Sequence, residues 1–228
     1  MSYFIYSDFH LGGPEGMSFK QDEKRFISYI EEKTKEGTVI FNGDVFDLYE
    51  TSVFCDSQKR KFERIIKEYP LFYNLIKEGK VIYVEGNHDE RNEFTRSSFT
   101  VTDNGKKLHV EHGHKYDNTL DNYCCCECFW CPKGYRCFGS FLSALNCFKV
   151  KTKDEDYPEI GLNVLEEKED VDILVFGHTH GAMIEEFKGR YYVNTGHVCT
   201  LEDGDLSFDE TVITLKDKIE IKQNKVKL

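Results

Sequence analysis

The 228-residue sequence predicts an α/β protein: a two-sheet β-sandwich flanked by helices, with a cysteine-rich cap inserted into it. Three observations lead there. Short runs of β-branched and aromatic residues, bounded by Gly, Asn and Asp, recur along the chain as strands do. These runs crowd both ends of the chain, with helical periodicity between them. Five of them stop abruptly at clusters of Gly, Asp, Asn and His, the plainest being Val81-Ile-Tyr-Val-Glu-Gly86-Asn87-His88-Asp89. Consecutive polar groups cannot all enter a core, so each cluster marks a loop at a strand's C-terminal end, where ligands bind in open α/β sheets.

Tyr3 to Ser7 reads as the first strand, delivering Asp8-Phe9-His10. A Gly/Pro loop follows, then a helix to about Lys35, capped by Ser18 or Asp22 and stopped by Gly37. Thr38 to Asn42 is the second strand, delivering Gly43-Asp44-Val45-Phe46-Asp47. Helices are expected over Gln58–Tyr69 and Leu71–Lys77, followed by the Val81 strand. Asp103-Asn104-Gly105 is a hairpin turn, and the strand after it ends at His112-Gly113-His114. A helix from about Glu159 to Lys168 precedes the Val171 strand, which ends at Gly177-His178-Thr179-His180. A hairpin across Lys188-Gly189 leads to Asn194-Thr195-Gly196-His197, and strands near Thr211–Leu215 and Ile219–Lys222 close the chain.

Composition narrows the class. Hydrophobic content of 39% with 31% charged residues fits one globular domain over 1–228, interrupted by a Cys- and aromatic-rich insertion at about 118–153. No apolar run approaches the roughly 20 residues of a membrane-spanning helix. A net charge of −11 argues against nucleic acid as a general partner. The first six residues carry no basic region or cleavage site, so the expected location is the cytoplasm. In that reducing compartment nine cysteines, seven of them between Cys124 and Cys147, point to metal, redox or buried thiols before disulfides.

Asp8, His10, Asp44, Asn87, His112, His178 and His180 together form a ligand set for two adjacent transition-metal ions. Imidazole mixed with carboxylate and amide oxygen suits Mn, Fe or Zn better than Mg or Ca. Such ions, roughly 3.5–4 Å apart, clamp the attacking and leaving oxygens of a phosphoryl displacement. Alone, each residue has a bland explanation as a turn or surface group. The ordered set after five strands does not.

In that order, Asp-x-His, Gly-Asp-x-x-Asp, Gly-Asn-His-Asp, His-Gly-His and Gly-His-Thr-His resemble the calcineurin-like metallophosphoesterase superfamily. The resemblance implies that Asp8, His10, Asp44 and His180 hold one metal, and that Asp44 as a bridge, Asn87, His112 and His178 hold the other. It implies attack by a metal-bridging hydroxide, with His88 as general acid or oxyanion stabiliser and Asp47 orienting it. Asp89 and Asp117 are either partners of ligand histidines or turn residues. His114 and Arg91 are candidates for touching substrate, and His109 reads as an ordinary strand residue.

His-Gly-His-x-x-Asp followed by an insertion is similar to the branch that contains UDP-2,3-diacylglucosamine hydrolase, a pyrophosphatase. That branch carries Arg in place of His88, and a Gly-Asp form in place of Gly113-His114. Within the insertion, Cys125, Cys128, Cys131 and Cys137 have spacing compatible with a separate Zn or Fe–S site, or are simply buried thiols. Its basic balance and aromatic residues suit a small-molecule or lipid-linked phosphate, with peripheral membrane contact. The expected function is thus hydrolysis of a phosphate ester or pyrophosphate. Alternatives are a phosphodiesterase or nuclease, a protein phosphatase, and a non-catalytic scaffold of the same fold.

Overall fold

The computed structural model describes residues 1–13, 16–48, 58–89, 93–117, 157–200 and 205–228. Two mixed sheets form the frame. The first contains β1 (Ser2–Tyr6), β2 (Thr38–Asn42), β3 (Ile82–Val84) and β4 (Thr95–Arg96), all parallel and in that order. On the other side of β1 lies antiparallel β11 (Leu206–Leu215), which also pairs with β10 (Val198–Thr200) and β12 (Ile219–Lys227). The second sheet runs β5 (Phe99–Asp103), β6 (Lys106–Val110), β7 (Ile173–Phe176), β9 (Arg190–Asn194), β8 (Met183–Phe187). Its inner strands β6, β7 and β9 are parallel.

Three separate cores make four layers. In β1 the side chains alternate: Phe4 and Tyr6 face α1 (Glu23–Glu36) and α3 (Pro70–Lys77), while Tyr3 and Ile5 face the other sheet. A strand apolar on both faces is what a sheet covered on both sides requires. Between the sheets, Tyr3, Ile5, Ile40 and Val84 meet Leu108, Val110, Ile173, Val175 and Val193. Outside the second sheet, Leu174, Phe176 and Tyr192 pack under Val164 and Leu165 of α4 (Tyr157–Glu167). The helix side of the first sheet is aromatic, with Phe26 stacked on Phe72 at 5.3 Å and Phe9, Phe19 and Phe208 around them at edge angles.

The start of the first helix differs from expectation. A 3-10 turn over Gly16–Gln21 precedes α1, and Asp22 makes no side-chain cap bond. Its carboxylate lies 3.3 Å from Arg25 instead. Glu23 performs a cap at long range: its Oε1 accepts the N–H groups of Leu71 (2.9 Å) and Phe72 (3.1 Å), satisfying the first turn of α3. Strands β11 and β12 run longer than the sequence suggested, because each is the other's partner along nine residue pairs. No described helix is long and apolar enough to cross a membrane.

Candidate active site

All six inner parallel strands end on one rim where the two sheets meet. Asp8 and His10 follow β1, Asp44 and Asp47 follow β2, and Asn87 and His88 follow β3. From the second sheet, His112 and His114 follow β6, His178 and His180 follow β7, and His197 follows β9. The loops prolong the ladders. Asp8 N–H donates to Gly43 O (3.1 Å), His10 N–H to Asp44 O (2.9 Å) and Gly177 N–H to His112 O (3.0 Å).

This close pairing forces unusual backbone. Asp8 (φ 57°), His10 (47°), Asp44 (51°), His178 (72°) and His180 (60°) all lie in the left-handed region. A non-glycine residue there costs about 1–3 kcal/mol and persists only where the surroundings hold it. Among the described residues, the others of this kind are Asn104 and Lys188, each preceding Gly in a hairpin turn.

The side chains converge. Candidate ligand atoms of Asp8, His10 and His180 lie within 4.8 Å of one another, as do those of Asp44, His112 and His178, and those of His10, Asp44 and His88. Asp8 Oδ1 is 3.4 Å from His180 Nε2, and Asp44 Oδ2 is 3.2 Å from His112 Nε2. Between these groups, His10 Nε2 is 4.0 Å from Asp8 and 3.9 Å from Asp44. His112 Nδ1 donates to Asn42 O at 2.8 Å, so in the neutral ring Nε2 is a lone pair facing two carboxylates. Asp8 Oδ1, Asn87 Oδ1 and His112 Nε2 are buried with no hydrogen-bond partner among the described residues. Each such orphan costs roughly 1–3 kcal/mol unless something meets it. Inward-facing acceptors of this kind are what a divalent cation satisfies, and the N/O mixture matches Mn, Fe or Zn.

The field has the same sign. Burial alone would lower His112, yet Asp44 and Asp8 push it up to about 10. Burial would raise Asp8 and Asp44, yet His180 and His112 hold both carboxyls below the usual range. A buried cluster with those preferences attracts positive charge, whether proton or metal.

Around the cluster, side chains aim one another. His88 Nδ1 is 3.0 Å from Asp47 Oδ1, and His88 N–H donates to Asp44 Oδ1 at 2.8 Å. Against the effect of burial, Asp47 and Asp44 raise the His88 imidazole. Asp117 Oδ2 is 3.1 Å from His178 Nε2, so this aspartate partners a histidine. Asp89 instead ties two loops, accepting from Phe46 N–H and Gly86 N–H, both at 2.9 Å. Burial and the charge of Asp44 push Asp89 up to about 6. His114 lies in a 3-10 turn with its Nδ1 buried, and burial together with His112 pushes it down to about 4. His109 pairs with Thr100 across β5–β6, a strand role.

A family model for the calcineurin-like phosphoesterases matches residues 1–182. The chain belongs to that family. Among curated proteins none matches it. Solved structures that resemble this chain include a Vps29 variant from Entamoeba histolytica, with 16% identity, 100% of this chain and 99% of that one covered, and a TM-score of 0.48. A conserved uncharacterised protein from Streptococcus pneumoniae, described as a predicted phosphoesterase, has 15% identity, 100% and 97% coverage and a TM-score of 0.48. An archaeal phosphodiesterase has 16% identity, 100% coverage of both chains and a TM-score of 0.47.

Several residues of the rim escaped the sequence reading. Asn42, wholly buried, bridges the sheets through Nδ2 to Glu111 O at 3.1 Å. Lys61 of α2 (Gln58–Glu68) is buried with its ammonium 3.9 Å from Asp47. Ser7 Oγ meets Thr195 Oγ1 at 2.6 Å, a second stitch between sheets. Asn42 and Ser7 stand out in the sequence only as polar residues at the ends of apolar strands, whereas Lys61, in the run Lys59-Arg60-Lys61, carries no signal at all. Arg91, Cys125, Cys128, Cys131, Cys137 and the insertion at 118–153 lie outside the described residues.

Glu111, next to His112, is also buried, and takes contacts from His109, Lys115 and Tyr116. Burial would raise its carboxyl, but His109 and Lys115 outweigh that and hold it at about 2. A folded value below the unfolded one, near 4.3, means stability that is present above that unfolded value and lost as pH falls toward 2. The melting-temperature advantage of the parent over Glu111→Gln is therefore expected at pH 7, and should shrink steadily in scans taken from pH 5 to pH 3.

Proposed function

We propose that this chain is a dinuclear-metal-dependent hydrolase of phosphate esters or pyrophosphates. The buried acceptors of Asp8, Asn87 and His112, left without hydrogen-bond partners at the rim, carry the reading. Asp8, His10 and His180 would hold one ion, and Asn87, His112 and His178 the other, with Asp44 shared. When bound, two such ions neutralise phosphate charge and supply hydroxide near neutral pH.

The chain's own residues then do the rest. His88, whose imidazole Asp47 and Asp44 make more basic, would give its proton to the leaving oxygen as the ester bond breaks. Asp47 fixes the ring so that the opposite nitrogen is the one presented. His114, held neutral, offers a donor and an acceptor to substrate beside His112. Arg91, placed by sequence just past the His88 loop, would add a bidentate phosphate contact.

For the substrate, the pattern around His112 and the insertion after it favours a nucleotide- or lipid-linked pyrophosphate of the UDP-2,3-diacylglucosamine kind. The aromatic insertion would receive the apolar part, and its cysteines have the spacing for their own Zn or Fe–S site. A single domain working in the cytoplasm or at a membrane surface completes the reading.

The test is metal analysis of the purified chain, with hydrolysis of p-nitrophenyl phosphate, bis-p-nitrophenyl phosphate and UDP-diacylglucosamine with and without added manganese. Two ions per chain and manganese-dependent turnover are expected. Two ions without turnover on any of these would instead favour a scaffold. Under the same assay His88→Ala should keep both ions while turnover falls on the order of 10²–10⁴-fold, the range for a lost general acid. Parent-like turnover would remove His88 from the mechanism.

A further inference from the structure

We infer that His197 is a positioning residue: by gripping the backbone of His180 it holds one half of the metal centre in shape. The inference rests on the metal reading proposed above. His197 ends the loop after β9, and its Nδ1–H donates to the main-chain oxygen of His180 at 2.9 Å. The two imidazoles also stack, with centroids 5.3 Å apart and planes inclined by 16°.

His180 needs such a brace. Its side chain is 34% exposed, against 8% for His10, 12% for His178 and none for His112. Its backbone sits at φ 60°, a conformation it must be held in. Beyond it, a Cβ added at Gly181 would come no closer than 4.0 Å to its nearest neighbour, Thr179, so that position is loosely surrounded. The hydrogen bond from His197 falls on the peptide that leaves His180, the place where left-handed backbone would otherwise relax.

His197 is itself anchored from the other sheet. Its N–H donates to Asp209 Oδ2 of β11 at 3.3 Å, and Asp209 is paired with Lys225 of β12 at 3.2 Å. Gly196 (φ 76°) lies so close that a Cβ there would stand 2.3 Å from the same carboxylate. The brace therefore runs from the first sheet through Asp209 and His197 to His180, which hangs from the second. Partners that hydrogen-bond to ligand side chains typically change metal affinity about 10–100-fold when removed, and a brace on the ligand's backbone is expected to fall within the same range.

Two variants separate the donor from the ring. His197→Asn keeps an N–H near the position of Nδ1, whereas His197→Phe keeps a stacking ring with no donor. The full chain, stripped with chelator and titrated calorimetrically with Mn²⁺, should take up two ions. In His197→Phe one of the two steps is expected to weaken about 10–100-fold, with the other within about threefold and the metal-free melting temperature unchanged. His197→Asn should recover most of that loss. Parent-like binding by His197→Phe would overturn the inference while leaving the metal reading intact. So would equal weakening of both steps with a lower metal-free melting temperature, which signals general damage, or a loss in His197→Asn as large as in His197→Phe. If the parent itself takes up no Mn²⁺, the metal reading falls and this inference with it.

Discussion

Asp44→Asn is expected to cut turnover on the order of 10³–10⁴-fold and to leave fewer than two ions bound per chain. The substitution preserves shape, so a folded protein is expected. What changes is charge. Asp44 is 2% exposed, 3.2 Å from His112 and 3.9 Å from His10, and its other oxygen receives the N–H of His88. Among the described residues it is thus the one carboxylate in contact with both proposed ion sites and with the proposed acid. Removing it forfeits several kcal/mol of charge stabilisation, at about 1.36 kcal/mol per tenfold in rate. Metal content by elemental analysis, beside kcat on the best substrate, reads the outcome. Two retained ions with parent-like kcat would show that Asp44 does not bridge.

Gly43→Ala is expected to destabilise the protein by about 3 kcal/mol or more and to weaken metal uptake along with it. Gly43 has φ 85°, and a Cβ there would stand 2.3 Å from His112 Nδ1 and 2.9 Å from Gly86 Cα. The left-handed cost alone is about 1–2 kcal/mol. The clash adds to it because the neighbours are a ring held by Asn42 and a main chain held by Asp89. For a chain of this size each kcal/mol shifts the melting temperature by about 2–4 °C, so a fall of about 6–12 °C should be seen. Gly105→Ala is the control: its φ is 71°, but nothing lies within 4 Å of the new Cβ. That variant should lose only the backbone part, with metal binding unaffected. Equal losses in the two variants would mean that crowding at the rim contributes nothing.

Much of the fold is legible in the sequence because its signals are local. Alternating or doubly apolar runs such as Tyr3-Phe4-Ile5-Tyr6 announce strands, and Asp103-Asn104-Gly105 announces a hairpin whose Asn and Gly do adopt positive φ. Strands β4 and β10, of two and three residues, are too short to show a period. The cap of α1 was misread because Asp22 has a competing partner in Arg25, and because the cap that matters, Glu23 on α3, spans 48 residues.

At the rim the division is sharper. Residue order makes the groups available: Asp8, His10, Asp44, Asn87, His88, His112, His178 and His180 each follow a strand, and a strand's end sets where its loop must be. What holds them comes from contacts far apart in the chain. The contact of Asn42 with Glu111 spans 69 residues, that of His178 with Asp117 spans 61, and that of Asp8 with the His178 N–H spans 170. Left-handed backbone at five of these residues is only weakly signalled by their identity: Asp and His tolerate it better than most residues, but adopt other conformations far more often. It exists because six strand ends from two sheets are drawn to one rim, and the packing between those sheets is strong enough to keep it there.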